Sequence, residues 1–271
     1  MRNKPRFSNA LFVIAIVLFV FIVLGILLTV VLNSLSKGWY SGLLPKNLTV
    51  EWYKYAAQEH DIPRLIGVTF VVAIADVLIG LLISFPAAYA LARSEFKGKA
   101  LLLSLFLLPM IVPPMAYGIP LAMLAYKTRL AGQILGTILV NLVPIVPFMI
   151  LVLMPFIEQV GTNLESAAKM LGARRGTVFR KIVIPLTMPG ILTAGILSLV
   201  KAISMFELSY LVVGGKNQTI VIALFADAYA AGARPPQAVD ALAVIYFLIA
   251  MTCLLISLRF VSPTQMVFKV K

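Results

Sequence analysis

One cysteine, one histidine and ten acidic residues are all that a chain of 271 residues carries of those types. The lone Cys253 excludes a disulfide framework. With the lone His60 it also excludes sites that need a His or Cys cluster. No H-E-x-x-H, C-x-x-C or G-x-S-x-G occurs, so the usual zinc, redox and serine-nucleophile chemistries lack their groups. A phosphate loop is missing as well. In Gly214-Gly215-Lys216-Asn217 an amide stands where the hydroxyl belongs, and no Gly precedes at the required spacing. The chain is therefore expected not to be an enzyme, to hold no cofactor or metal, and not to power itself with ATP. Charge is scarce too: 12% charged residues against 61% hydrophobic, where a soluble domain has about a quarter charged. That balance predicts an integral membrane protein.

What is present is a series of apolar runs. They cover residues 11–32, 65–91, 101–126, 134–157, 186–213 and 242–261, each long enough for a hydrocarbon core that needs about 20 helical residues. The fold class expected is all-α with six transmembrane helices. The first run is longer than a signal peptide's apolar region and has no A-x-A site, so it reads as a retained span. Residues 34–64 are polar and carry Trp39, Tyr40, Trp52, Tyr53 and Tyr55, the amphipathic rings that favour a membrane interface. The net charge of +13 would suit nucleic acid, but the basic residues lie in short segments between the runs, where they set topology. With the N-terminus inside, 14 of the 23 Lys and Arg fall on inner segments and 8 on outer ones, while Lys201 lies within a span. Both termini are thus expected in the cytoplasm. The division expected is 1–64 as a first span with its external segment, 65–261 as a core of five spans, and 262–271 as a cytoplasmic tail.

Spans three and four hold Pro109, Pro113, Pro114, Pro120, Pro144, Pro147 and Pro155. Each internal proline removes a backbone hydrogen bond and bends its helix. Such breaks persist at membrane depth where neighbouring helices or a wet cavity satisfy the freed carbonyls, so they fit a movable pathway or static kinks equally. Residues 219–230 are too few to span and read as a re-entrant or interfacial helix on the outer side. Ionisable groups within spans are few. Asp76 is expected near mid-depth in span two, and Lys201 about 22 Å above the inner face at 1.5 Å per residue. Opposite charges at similar depth could form an ion pair, or either could line a solute path. Glu207, six residues further on, is expected near the outer interface.

The longest polar interval of the second half is 158–189, and the other segments are arranged about it. It carries Lys169, Arg174, Arg175, Arg180 and Lys181 between two apolar runs. Leu164, Ala167, Ala168 and Leu171 recur at i, i+3, i+4 and i+7, which predicts a short amphipathic helix. Gly172 suits a left-handed helix cap, and the two alanines would admit another backbone closely. A helix so short is marginal alone, so its stripe needs a docking surface.

This interval resembles the cytoplasmic EAA loop of permease subunits in type I ABC importers. Ala167-Ala168, three residues, Gly172, nine residues and Ile182-Val183-Ile184-Pro185 match its spacing, with Ser166 in place of the motif's Glu, Glu165 one place earlier, and Ile184 in place of Leu. The resemblance implies that Leu164, Glu165, Ser166, Ala167, Ala168, Leu171 and Gly172 couple the spans to a separate ATPase. It further implies a second permease subunit, identical or not, two ATPase subunits, an extracytoplasmic solute-binding protein, and residence in a bacterial or archaeal inner membrane. The run from Phe206 to Ser209, followed by Val212-Val213-Gly214, looks like the polyamine, ferric-iron and opine branch. That likeness implies a small polar or cationic solute such as a polyamine. The alternatives are a sugar or polyol importer of the same family, or a secondary transporter.

Overall fold

The structure, a computed structural model, describes residues 6–39, 42–45, 47–229 and 234–260. Tyr40, Lys46, the basic residues Arg2 and Lys4, part of the turn before Pro236 and the expected tail 262–271 lie outside the described residues. The described residues are almost wholly helical, with one isolated antiparallel bridge from Ser36 to Leu48. In chain order the helices are α1 Arg6–Ser34, α2 Glu51–Glu59, α3 Ile62–Arg93, α4 Lys99–Ile111, α5 Pro114–Lys127, α6 Ile134–Gln159 and α7 Thr162–Met170. Then come α8 Arg175–Val178, a π-helical turn Phe179–Val183, α9 Ile184–Leu186, α10 Met188–Ile203, α11 Glu207–Val212, α12 Ile220–Tyr229 and α13 Pro236–Phe260. Two compact units are present, one of Met1–Ile62 with Leu224–Leu248, the other of Pro63–Ala223 with Ile249–Lys271.

Four helices are long and apolar enough to cross a membrane, or up to six if each of two bent pairs counts as one span. The expected third span is not a single rod. It breaks at Val112-Pro113 into α4 and α5, which lie at 93° to each other. Pro113 and Pro114 explain the position of the break, because the residue before a proline is pushed out of the helical region. Val112 is accordingly extended, with ψ 132. The expected fifth span is also divided: Arg175–Leu186 meets α10 at 68°, and α10 ends at Ile203 before α11 begins. Pro144, Pro147 and Pro155, by contrast, lie within an unbroken α6.

In the larger unit α6 is the central element. Ile145, Met149, Ile150, Leu153 and Ile157 recur at helical spacing and are wholly or almost wholly buried. Helix α10 packs on it most extensively. Gly190 permits this, since a Cβ there would stand 2.5 Å from the Phe156 side chain. Ala194 and Ser198 continue that small-residue face and are fully buried. Helix α4 has no buried residue, and Leu101 and Ile111 on it are 67% and 72% exposed.

The smaller unit begins with α1, whose residues from Leu11 to Leu24 are all exposed. Two of the aromatics expected at the interface, Trp52 and Tyr53, make hydrogen bonds within the chain. Trp52 Nε1 donates to the Ser36 carbonyl at 2.7 Å, and Tyr53 shares a 2.8 Å hydrogen bond with Ser34, so α2 is tied to the end of α1.

Candidate functional site

Helix α7 forms where the sequence stripe places it, and its end has the geometry that glycine allows. Leu171 caps the helix, and Gly172 follows at φ 83, in the left-handed region. The Gly172 N–H donates to the Lys169 carbonyl at 3.0 Å, and the Ala173 N–H to the Ala168 carbonyl at 3.0 Å. These are the two bonds of a Schellman cap, which satisfy carbonyls the helix would otherwise leave bare. The stripe itself finds little cover in its own chain. Leu164 is 52% exposed and Leu171 90%, while Ser166 and Ala167 are exposed and Ala168 is half-buried.

Glu165 is the exception. It is 4% exposed, and its side chain leaves α7 about 100° around the axis from Leu164. Arg93 Nε donates to Glu165 Oε1 at 2.8 Å, and the Tyr89 hydroxyl donates to Oε2 at 2.6 Å. Arg93 also donates through Nη2 to the Val160 carbonyl at 2.6 Å, so one guanidinium joins the end of α3 to both the end of α6 and α7. The Phe179 ring stacks edge-on against Tyr89 at 5.1 Å and lies 5.4 Å from Phe85, which brings the π-helical turn into the same cluster. Tyr89 and Arg93 were missed in the sequence, where Arg93 counted only as an inner positive charge. The available signal was the acid displaced from its motif place, at a position off the apolar stripe.

Among the intramembrane charges, the expected ion pair is not formed. Asp76 is fully buried, and its Oδ2 accepts from Asn141 Nδ2 at 3.0 Å. Asn141 Oδ1 in turn accepts from the Ser209 hydroxyl at 3.1 Å, so a polar triad joins α3, α6 and α11. Among the described residues, Asp76 Oδ1 and the Ser198 hydroxyl have no hydrogen-bond partner. Lys201 instead places its ammonium 4.8 Å from the centre of the Phe148 ring, a cation–π contact. Depth along a span fixed neither azimuth, and the two side chains leave their helices toward different neighbours. Glu207 opens α11 and is half-buried. No group of three or more His, Cys, Asp or Glu side chains that could hold a metal ion occurs among the described residues.

The smaller unit holds a separate polar cluster. Asp227 on α12 accepts from Arg234 Nε at 2.8 Å and is bonded to His60 Nε2 at 2.7 Å, while Arg234 Nη1 donates to Glu59 at 3.0 Å. Burial works against the Arg234 charge, but the hydrogen bond to Glu59 and the nearby Asp227 carboxylate prevail and raise its pKa.

Residues 80–266 match the family described as binding-protein-dependent transport system inner membrane component. Among curated proteins, the chain is 34% identical over 165 residues to a sulfoquinovosyl glycerol transport system permease of Agrobacterium fabrum, covering 61% of this chain and 58% of that one. It is 37% identical over 132 residues to a trehalose transport system permease of Mycobacterium tuberculosis, covering 49% and 47%. A molybdenum transport system permease of Escherichia coli is 32% identical over 186 residues, covering 63% and 80%. The chain thus spans about half to three-fifths of the length of the first two. In fold it resembles a chain of a bacterial ABC transporter involved in import of the acidic polysaccharide alginate, with a TM-score of 0.76 at 16% identity over 96% of this chain and 99% of that one.

Proposed function

The chain belongs to the binding-protein-dependent transport system inner membrane components, and from that premise we propose that it is the permease subunit of an ATP-driven importer. Members of the family are non-catalytic transport components, so the chain is not an enzyme. It is a multi-pass membrane protein of the bacterial and archaeal inner-membrane type.

The observation that carries the proposal is α7. A nine-residue helix with a glycine cap and a bare stripe needs a surface that its own chain does not supply. In this reading residues 164–172 dock into a cleft on a separate ATPase, and ATP binds there and not to this chain. A second permease subunit, two ATPase subunits and an extracytoplasmic binding protein complete the assembly. The loop and both termini face the cytoplasm, as the bias of Lys and Arg favours.

For the solute, a sugar, polyol or oligosaccharide is the better-supported class. Three of the relatives are named for transport of sulfoquinovosyl glycerol, trehalose and diacetylchitobiose. The run that suggested a polyamine, Phe206 to Ser209, is largely committed to packing: Leu208 and Ser209 are 1% exposed, and Ser209 bonds Asn141. Asp76 is likewise enclosed within the subunit, which leaves Lys201 and Glu207 as candidates for the translocation pathway.

The test is reconstitution of the permease with its ATPase and binding protein in proteoliposomes, with uptake of labelled disaccharide and labelled spermidine compared. ATP-dependent disaccharide uptake is expected. Spermidine uptake alone would return the polyamine reading, and uptake without any ATPase would favour a secondary carrier.

A further inference from the structure

The α7 helix has two routes to the spans. One is covalent, through Ala173 and Arg174 into the helical run Arg175–Leu186 and on to α10. The other is the buried contact of Glu165 with Arg93 and Tyr89 on α3. The covalent route alone is a poor lever. It passes through a left-handed residue at Gly172 and the extended residue Arg174, with ψ 153, before helix resumes. It then passes a further bend of 68° before α10. The contact with α3 is direct. Glu165 is 4% exposed, so water does not compete for its carboxylate, and both oxygens are held by charged or hydroxyl donors. Arg93 is itself fixed by the Val160 carbonyl and lies 5.9 Å from the centre of the Tyr89 ring.

We propose that Glu165, Arg93 and Tyr89 are positioning residues that lock α7 to the inner end of α3, so that displacement of α7 moves α3 directly as well as α10 through the chain. The proposal rests on the reading of α7 as the ATPase contact. It assigns Glu165 a task different from that of the bare stripe: Leu164, Ala168 and Leu171 meet the partner, while Glu165 faces inward and carries the movement to the spans. The acid one place before Ser166 is thus turned into the permease and away from the docking face.

The experiment uses the assembled permease, ATPase and binding protein in proteoliposomes. It compares Arg93→Ala, Tyr89→Phe and wild type by ATPase retention on purification and by the ratio of solute-stimulated to basal ATP hydrolysis. The ATPase is expected to co-purify with both variants, because neither residue lies on the exposed stripe. The stimulation ratio is expected to fall about tenfold in Arg93→Ala, within the usual range of coupling between distant sites. It should fall about threefold in Tyr89→Phe, which loses one hydrogen bond and keeps its ring against Phe179. If Arg93→Ala fails to insert, Tyr89→Phe decides alone. A wild-type stimulation ratio in an assembled variant overturns the proposal. Loss of the ATPase from Tyr89→Phe also overturns it, since the cluster would then shape the docking face and not pass on its movement. Retention of the ATPase with a wild-type stimulation ratio in Gly172→Asp would count against the docking reading itself, a separate outcome.

Discussion

Helices α7 and α12 are nine and ten residues long, and neither has the length to hold itself in water. Helix α12 is covered over its first turn: Ile220, Ile222 and Ala223 are 0–1% exposed, and its first N–H is taken by the Thr69 hydroxyl at 3.0 Å. Helix α7 is bare except for Glu165 and the half-buried Ala168, and the side chains at its end, Met170 and Leu171, are 84% and 90% exposed. A short helix that the chain covers is part of the fold. One that the chain leaves uncovered, yet caps and pins at a single buried carboxylate, fits the partner contact proposed above.

The largest effects should come from breaking α7's side of this comparison. Gly172→Asp must hold a side chain at φ 83, a conformation that costs about 1–2 kcal/mol for an L-residue, and it also adds charge beside the contact. No atom of the described residues stands within 4 Å of a Cβ placed there, so strain and the proposed partner, not an internal clash, decide the outcome. Ala168→Asp would put an unpaired carboxylate into the docked face, which costs several kcal/mol once water is excluded. Both variants are expected to insert normally while the ATPase dissociates or idles, as read by co-purification and by solute-stimulated ATP hydrolysis. Gly172→Ala should show the strain without the charge and lose less.

Next in size is the polar triad within the spans. Asp76→Leu leaves the Asn141 amide without its acceptor and should destabilise the subunit by about 1–3 kcal/mol. Asp76→Asn keeps an acceptor for that amide and should be milder. Because Asp76 and Lys201 are not paired, the effects of Asp76→Asn and Lys201→Met should add to within about 0.5 kcal/mol in detergent unfolding. A double mutant clearly better than the worse single would restore the ion pair. The smallest effect is expected from Arg174→Ala, an exposed residue past the cap, whose change in stability should stay within about 0.5 kcal/mol and whose ATPase retention should match wild type.

These contrasts also mark what could be read from the residues. The α7 stripe and its cap were legible because periodicity 3.6 and a closing glycine are local signals, and the start of α12 was legible from the apolar stretch after Gln218. The apolar runs located four helices of spanning length, since hydrocarbon thickness demands length, and two further runs that are bent pairs. Direction was not legible. Pro113-Pro114 marks a break but not the 93° between α4 and α5, nor that α5 buries Gly118, Ala122 and Ala125 while α4 buries no residue. Partner choice was not legible either. Asn141 and Ser209 look unremarkable within apolar runs, and Asp76 finds them because α3, α6 and α11 converge there. Glu165 was read as a displaced motif acid, and only the fold brings the last turns of α3 up to its carboxylate.

The most direct test of the docking account is solvent access to α7 itself. In a Cys253→Ser background, Leu171→Cys should react rapidly with a membrane-impermeant maleimide in inside-out vesicles holding the permease alone. Adding the ATPase should suppress that reaction to near background, and release of the ATPase should restore it. Equal labelling of Leu171→Cys with and without a stably bound ATPase would contradict the account, since the bare stripe of α7 would then not be the surface the partner covers.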